Sequence, residues 1–580
     1  MLDTSGGGKG LRNLFEKLLS IQGALVIIAL IAARYLFTFG SSLITDILQA
    51  ILFLLAGSVM AATLGLTRSK HDLRRRPWQF MVTVMFLAGL IYYLLSEPPQ
   101  GGIQNWNIGS VANVYLGFTA LITVLGYLMY LAGKVSPSLF LPSSFFIVIV
   151  TGTLLLMSPK VTSGEGSIQP IDALFTSTSA TCVTGLIVLD TENDFTPLGQ
   201  LIILILIQVG GLGIMTFAAF FALTLGQKLG LSDTVNLSRL MDSEFSSELK
   251  HLLLSILFWT LAIESVGAFL LYNTWSAMDL GWSTSETVWQ AVFHSISAFC
   301  NAGFSLNSTN LEAFSSSPAT GYIIGTLIVM GGLGFGVLTG LGRNWILRMR
   351  TGRRTPPPVQ VRLVLLVTLI LIIAGVGFFL VFEWNNTLAG MPFSQKLGNA
   401  YLEAVSPRTA GFNTVPTAGL VPAVKWFFVI LMFVGASPGG TGGGVKTTSI
   451  GLLVVSIRSL VQQRKQPEIW KRRIPIFDLQ RAGAVLLLGM TAFGMSSILL
   501  LATENGQGGF TDMDYVFESM SAFGTVGLST GVTPLLSTAG KWIIIVTMFI
   551  GRTAPATLAA ATIRVRTSRY CYPEDRITIG

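Results

Sequence analysis

Thr176-Ser-Thr-Ser-Ala-Thr-Cys-Val-Thr-Gly185 occurs in outline four times in this chain. His294-Ser-Ile-Ser-Ala-Phe-Cys-Asn-Ala-Gly303 and Glu518-Ser-Met-Ser-Ala-Phe-Gly-Thr-Val-Gly527 keep its length, while Glu403-Ala-Val-Ser-Pro-Arg-Thr-Ala-Gly411 is one residue shorter. Each copy is a short amphipathic run that ends in glycine followed by Leu or Phe, and each lies between two long apolar segments. An apolar span, a short polar helix, a glycine and a second span, repeated four times, predict four parallel repeats around one central pore. The expected fold class is an all-α polytopic membrane protein.

Composition agrees. The 580 residues are 51% hydrophobic and only 11% charged, where a soluble domain has about 25%. Mean hydropathy is +0.67, and many apolar runs reach the roughly 20 residues that a spanning helix needs. The net charge of +9 is concentrated in particular connections, so it is no signal for nucleic acid. Three cysteines make no disulfide scaffold. Cys182 and Cys300 occupy matching places in two repeats and read as small packing residues. The first apolar run reads as a span rather than a cleavable leader.

Four apolar segments near 21–38, 45–66, 78–96 and 109–132 predict an N-terminal extension, residues 1–135, with about four transmembrane helices. Pore repeats follow at 136–240, 241–355, 356–475 and 476–580, the last with a C-terminal tail. Arg68, Lys70, Arg74, Arg75 and Arg76 lie between extension spans. Arg343, Arg348, Arg350, Arg353 and Arg354, then Arg464, Lys465, Lys471, Arg472 and Arg473, join repeats. The positive-inside rule places these connections and both termini in the cytoplasm. Each repeat then enters and leaves on one side, unlike the inverted repeats of many carriers.

A potassium ion can exchange its water shell for a ring of backbone carbonyls. Extended backbone at membrane depth is tolerated where it lines a cavity, and glycine allows the backbone angles required. Gly185, Gly303, Gly411 and Gly527, with the residues before them, are therefore the candidate filter. Ser283 with Glu286, Thr511 with Asp514, and Pro170 with Asp172 look like helix starts. Helices starting there aim the negative ends of their dipoles at the filter. Asp190, Glu192 and Asp194 read equally as a cation-concentrating mouth or a solvated loop.

The second spans align as Gly210-Gly211, Gly331-Gly332, Gly435-Ala436 and Gly551-Arg552. A charge in mid-span is expensive unless it faces protein or water. Arg552 is thus expected to face the pore below the filter as an electrostatic barrier. Gly435-Ala-Ser-Pro-Gly-Gly-Thr-Gly-Gly-Gly444 cannot continue a helix. It is expected to be a flexible loop acting as a gate, with Lys446 at its cytoplasmic end. Glu264, His294, Glu403, Arg408 and Glu518 are further intramembrane ionisable residues. Glu403 and Arg408 are expected to pair behind the filter, and His294 to serve packing rather than metal ligation.

Asp172-Ala-Leu-Phe-Thr-Ser-Thr-Ser-Ala-Thr-Cys-Val-Thr-Gly-Leu186, Arg408-Thr-Ala-Gly-Phe-Asn-Thr414, Ser437-Pro-Gly-Gly-Thr-Gly-Gly-Gly-Val-Lys446 and Tyr572-Pro-Glu-Asp-Arg-Ile-Thr-Ile-Gly580 together resemble the Trk/Ktr/HKT superfamily of potassium transporters, nearest its KtrB branch. The resemblance covers about residues 138–580. It implies potassium uptake across a bacterial plasma membrane through a filter of Val183, Thr184, Gly185, Asn301, Ala302, Gly303, Thr409, Ala410, Gly411, Thr525, Val526 and Gly527. It implies a gate at Gly435, Ser437, Pro438, Gly439, Gly440, Gly442, Gly443 and Gly444, with Lys446 and the pore arginine Arg552. It further implies a homodimer, cytoplasmic nucleotide-binding RCK subunits of the KtrA or TrkA type, sodium as an activator, and potassium at the filter as the only bound metal. No covalent cofactor and no nucleic-acid partner are implied. The first 135 residues depart from the KtrB pattern. A membrane enzyme is the less economical reading, since no HExxH, Cys/His cluster or catalytic carboxylate pair appears. A proton- or sodium-coupled carrier of another cation or solute is the remaining alternative.

Overall fold

The computed structural model describes residues 137–164, 168–213, 249–352, 356–464, 466–504 and 509–553. The expected N-terminal helices and the Tyr572–Gly580 stretch lie outside these residues.

Four units follow one another, each a first helix, a short helix and a second helix. The first unit is α1 (Pro137–Leu156), α2 (Pro170–Thr181) and α3 (Pro197–Leu212). The second is α4 (Leu249–Ser276), α5 (Thr284–Cys300) and α6 (Pro318–Leu333), continued by α7 (Phe335–Thr351). The third is α8 (Val359–Glu383), α9 (Phe393–Val405) and α10 (Pro422–Phe433), with α11 (Thr447–Val461) after a break. A two-stranded hairpin, β1 (Glu468–Ile469) with β2 (Arg472–Arg473), leads to the last unit of α12 (Ile476–Glu504), α13 (Asp512–Gly524) and α14 (Thr538–Thr553).

Local chemistry explains these boundaries. Ser255–Ser276 in α4, Val359–Glu383 and Ile476–Glu504 are apolar over 22, 25 and 29 residues. Each exceeds the roughly 20 residues needed to cross a bilayer. Their exposed side chains, such as Phe258, Phe269, Ile373, Val381, Leu487 and Ile498, are hydrocarbon, as lipid contact requires. Proline stands at the first turn of α2, α3, α6 and α10, where its missing N–H has no helical partner to lose. Ser283 and Glu286 form a capping box, with Glu286 Oε2 accepting from Ser283 N at 2.8 Å. Asp514 Oδ2 likewise accepts from Thr511 N at 3.0 Å.

Within each unit the short helix lies against the first helix through small residues. Ser177 Oγ donates to Ile149 O and Ser295 Oγ to Glu264 O, both at 2.7 Å. Ala404 abuts Gly375, and Ser519 Oγ donates to Ser496 Oγ at 2.8 Å. Between units, the second helix of one meets the short helix of the next. Trp289 Nε1 on α5 donates to Gln200 Oε1 on α3 at 2.9 Å. Gly398 on α9 abuts Pro318 on α6. Lys425 on α10 pairs with Asp514 on α13 at 3.1 Å. Lys541 on α14 pairs with Asp172 on α2 at 2.6 Å, joining the last unit to the first. The units therefore close into a ring.

The sequence predicts continuous second spans at about 197–223 in repeat one and 319–345 in repeat two. The second of these is not one helix, because α6 and α7 meet at 92°. Gly334 makes the corner at φ 87°, a left-handed conformation that interrupts helical hydrogen bonding. Repeat one also reaches a glycine of positive φ, Gly213, immediately after α3. Residues 214–223, the remainder of that expected span, lie outside the described residues.

Candidate functional site

The short helices α2, α5, α9 and α13 run toward the centre and end just before Gly185, Gly303, Gly411 and Gly527. All four glycines have positive φ, at 92°, 70°, 75° and 95°. A Cβ built on Gly185, Gly303, Gly411 or Gly527 would lie 3.0–3.1 Å from the Cα of the next glycine, and Gly527 is followed by Gly185. It would lie closer still to the carbonyl oxygen ahead of that glycine: Ala302, Ala410, Val526 and Thr184 in turn. Conformation and space both demand glycine here. The result is a closed four-membered ring of backbone at the molecular centre.

Two residues before each glycine is a second left-handed position, which sequence reasoning missed. Val183, Asn301, Thr409 and Thr525 have φ of 57°, 61°, 74° and 49°. For β-branched valine and threonine this is a strained conformation, on the order of 1–3 kcal/mol each, of the kind that gathers at functional sites. The backbone is held by matching bonds. Thr184 N donates to Ser179 O, Ala302 N to Ser297 O and Val526 N to Ser521 O, each at 2.8 Å; Ala410 N donates to Ser406 O at 2.9 Å. The residue missing from repeat three is thus lost inside this turn. Hydroxyls add to the lock, since Ser179 Oγ and Ser521 Oγ accept from Gly185 N and Gly527 N at 3.1 and 3.0 Å. Asn310, from the second unit, donates to Gly411 O of the third at 3.1 Å.

Below the ring, three repeats agree and one does not. A Cβ on Gly210, Gly331 or Gly551 would collide with the carbonyl of Thr181, Phe299 or Phe523, so these helices touch the short-helix ends backbone to backbone. Gly435 instead abuts the carbonyl of Gly443, because the chain leaves the helix and doubles back there. The 434–446 segment is not slack, contrary to the expected flexible loop. Gly435 N donates to Val445 O at 2.9 Å, and Lys446 Nζ to Gly442 O at 2.8 Å. The corner at Gly334 supplies partners: Ser437 N donates to Gly332 O at 3.0 Å, Thr441 N to Gly331 O at 3.2 Å and Phe335 N to Gly439 O at 3.1 Å. Gly443 N donates to Thr525 Oγ1 at 3.1 Å, directly beneath the ring.

Arg552 faces inward. Its guanidinium donates to the carbonyls of Thr441, on this segment, and Gly210, on α3. The segment, itself part of the third repeat, is therefore tied to the second and fourth repeats directly and, through Arg552, to the first.

The expected Glu403–Arg408 pair does not form. Glu403 Oε1 accepts from Thr414 N at 2.7 Å, while Arg408 Nη2 reaches Thr368 Oγ1 at 3.5 Å. The rigid turn after α9 directs the two side chains apart. Buried His294 contacts Gln290 O at 2.8 Å and Ser305 Oγ at 2.9 Å, and lies edge-on to Trp275. Glu264 accepts from Gln208 Nε2 at 3.0 Å. In the segment after Gly185, Glu192 accepts from Ser308 N at 2.7 Å, linking the first and second repeats. In the loop beyond Gly303, burial raises the Glu312 carboxyl above its ordinary range, although Asn413 Nδ2 donates to it at 3.0 Å.

With this geometry, residues 111–566 match the TrkH family, described as cation transport protein. The chain is 36% identical over 449 residues to the Ktr system potassium uptake protein B of Bacillus subtilis, covering 77% of this chain and 97% of that one. It is 33% identical over 453 residues to the potassium/sodium uptake protein NtpJ of Enterococcus hirae, covering 77% and 98%. The fold is similar to the crystal structure of the potassium transporter TrkH from Vibrio parahaemolyticus, with a TM-score of 0.57 and 17% identity over 89% of this chain and 97% of that chain.

Proposed function

Because this chain belongs to the TrkH family of cation transport proteins, which move ions and are not enzymes, we propose that it takes up potassium through the ring described above. The observation that carries this reading is the closure Gly185–Gly303–Gly411–Gly527–Gly185, with a carbonyl of each repeat pressed against the glycine of its neighbour. The filter comprises Val183, Thr184, Gly185, Asn301, Ala302, Gly303, Thr409, Ala410, Gly411, Thr525, Val526 and Gly527. Potassium, the transported ion, exchanges water for these carbonyls. The C-terminal ends of the four short helices add favourable negative potential, about 0.3–1 kcal/mol each and more where buried.

Gly435 to Gly444 with Lys446 act as the gate beneath the filter, and Arg552 latches it. A guanidinium at this depth repels cations and holds the segment across the path. Movement of the segment opens the way. The printed name of the E. hirae relative pairs potassium with sodium, which supports sodium as an activator or second transported ion. The word "system" in the B. subtilis name supports a further component. We assign that role to a cytoplasmic RCK subunit of the KtrA or TrkA type, acting on a homodimer in the bacterial plasma membrane with both termini cytoplasmic.

Rubidium uptake into liposomes containing the purified chain, with and without external sodium, tests this reading. Potassium-competed uptake is the expected result. No cation flux, even with an added RCK subunit, would leave the fold and sink the function. Uptake that concentrates rubidium against its own gradient, driven by a sodium or proton gradient, would favour a coupled carrier instead.

A further inference from the structure

We propose that Glu403 and Glu518 are positioning residues for ion selectivity, each holding the chain segment that leaves the ring after Gly411 or Gly527. The inference rests on the filter reading above and names residues outside it.

Both carboxylates occupy one place in the fourfold pattern. Glu518, His294 and Thr176 each stand nine residues before the ring glycine, and Glu403 stands eight before, in the repeat one residue shorter. The next residue, Ser177, Ser295, Ala404 or Ser519, faces the first helix of its unit. About 100° further round the short helix, the preceding side chain meets the outgoing segment instead. Glu518 Oε1 accepts from Ser529 Oγ at 2.9 Å. Ser529 Oγ in turn accepts from Gly531 N at 3.0 Å. Glu403 Oε1 accepts from Thr414 N at 2.7 Å and Thr414 Oγ1 at 3.4 Å. His294 makes the neutral counterpart of this link to Ser305 Oγ at 2.9 Å. In repeat one Thr176 is too short, its hydroxyl has no hydrogen-bond partner, and the outgoing segment offers Ile187.

The brace therefore changes around the ring: absent in repeat one, an imidazole in two, a carboxyl group in three and four. Glu403 and Glu518 are 1% and 0% exposed. Among the described residues, neither makes an ion pair with a lysine or arginine. Their partners are hydroxyl and backbone donors on the outgoing segment, taken by Oε1 alone while Oε2 of each has no hydrogen-bond partner, and in a low-dielectric interior such bonds are stronger than in water. Discrimination between potassium and sodium depends on how carbonyls are held around the ion. A brace two or three residues beyond the glycine sets that position without touching the ion.

The test is the rubidium-to-sodium uptake ratio of the full chain in liposomes. The variants are Glu518→Ala, Ser529→Ala, the double variant and Glu518→Gln, beside Gly527→Ser as a filter reference. The ratio is expected to fall about tenfold in Glu518→Ala and in Ser529→Ala, the size of one hydrogen bond. The double variant should fall no further, because both changes break one link. Glu518→Gln, which keeps its reach to Ser529, should fall less. An unchanged ratio, or rubidium and sodium uptake dropping in parallel with protein yield, overturns the proposal. Should Glu518→Ala not fold, Ser529→Ala decides the matter alone. If Gly527→Ser changes the ratio and the brace variants do not, only this inference fails. If Gly527→Ser also leaves it unchanged, the filter reading fails with it.

Discussion

The ring and the layer beneath it treat the four repeats differently. At the ring every repeat contributes the same backbone: a left-handed residue, a carbonyl and a glycine, pressed against the next repeat. One layer lower, Gly210, Gly331 and Gly551 keep the equivalence, and Gly435 breaks it because the chain leaves the helix and doubles back against Gly443. Equal chemistry at the ring suits an ion that must be surrounded evenly. On the proposed reading, a movable barrier needs only one repeat to differ. The second and fourth repeats supply the groups this segment docks on, chiefly the helical carbonyls and N–H freed at the Gly334 corner and the Arg552 guanidinium, which in turn reaches the first repeat.

Substitutions at the two levels should therefore fail in different ways. The largest effect is expected at the ring. Gly303→Ser must place a side chain at φ 70° and against Gly411. Selectivity for rubidium over sodium should fall about a hundredfold, with strain of about 1–3 kcal/mol spread into the neighbouring repeats. A ratio unchanged from the wild type would mean that the ring is not the filter. Next comes deletion of Gly439–Gly443, which removes most of the segment's docking bonds, those of Gly439, Thr441 and Gly443. Rubidium flux without any regulatory subunit should rise at least about tenfold, while the ion ratio stays as it was. Unchanged or lower flux in well-folded protein argues that the segment is not a barrier.

Arg552→Ala should raise flux in the same direction by a smaller factor, about three- to tenfold, since it removes only the latch. Rates equal to wild type would reduce Arg552 to a packing residue. The smallest effect concerns ring closure. Asp172→Asn leaves Lys541 without its carboxylate at a partly buried site, and the thermal midpoint should drop by about 2–4 °C. The ion ratio should change little. A large selectivity change in this variant would show that outer packing, and not the backbone at the ring, sets discrimination.

Much of this is legible in the sequence. Four glycine-ended copies between apolar spans encode the repeats, because membrane depth forces every backbone group into a helix or a protected turn. The run Gly435–Gly444 announces its own break, since so much Gly and Pro cannot stay helical. Other features left no such mark. The Gly334 corner hides in Gly331-Gly-Leu-Gly334, a pattern shared with Gly210-Gly-Leu-Gly213. The shared fourth glycine was a signal, but isolated glycines are common in spanning helices. Val183 and Thr409 look like ordinary β-branched residues, and only the surrounding turn forces them to positive φ. The Glu403–Arg408 pair was plausible from proximity in sequence, yet the intervening turn sends one toward Thr414 and the other toward Thr368.

By itself the sequence determined the membrane class, the four parallel repeats, the glycine in each and the place where one second helix must stop. Those properties depend on local composition, backbone freedom and periodicity, which adjacent residues carry. Tertiary structure alone decided the cyclic order, in which Lys541 meets Asp172 across 369 residues of chain. It likewise decided the contacts of Arg552 with Thr441 and Gly210, and the unequal contacts of His294, Glu403 and Glu518 with the segments that follow their glycines. Such contacts depend on how separate helices are brought together, and no periodicity along the chain records it.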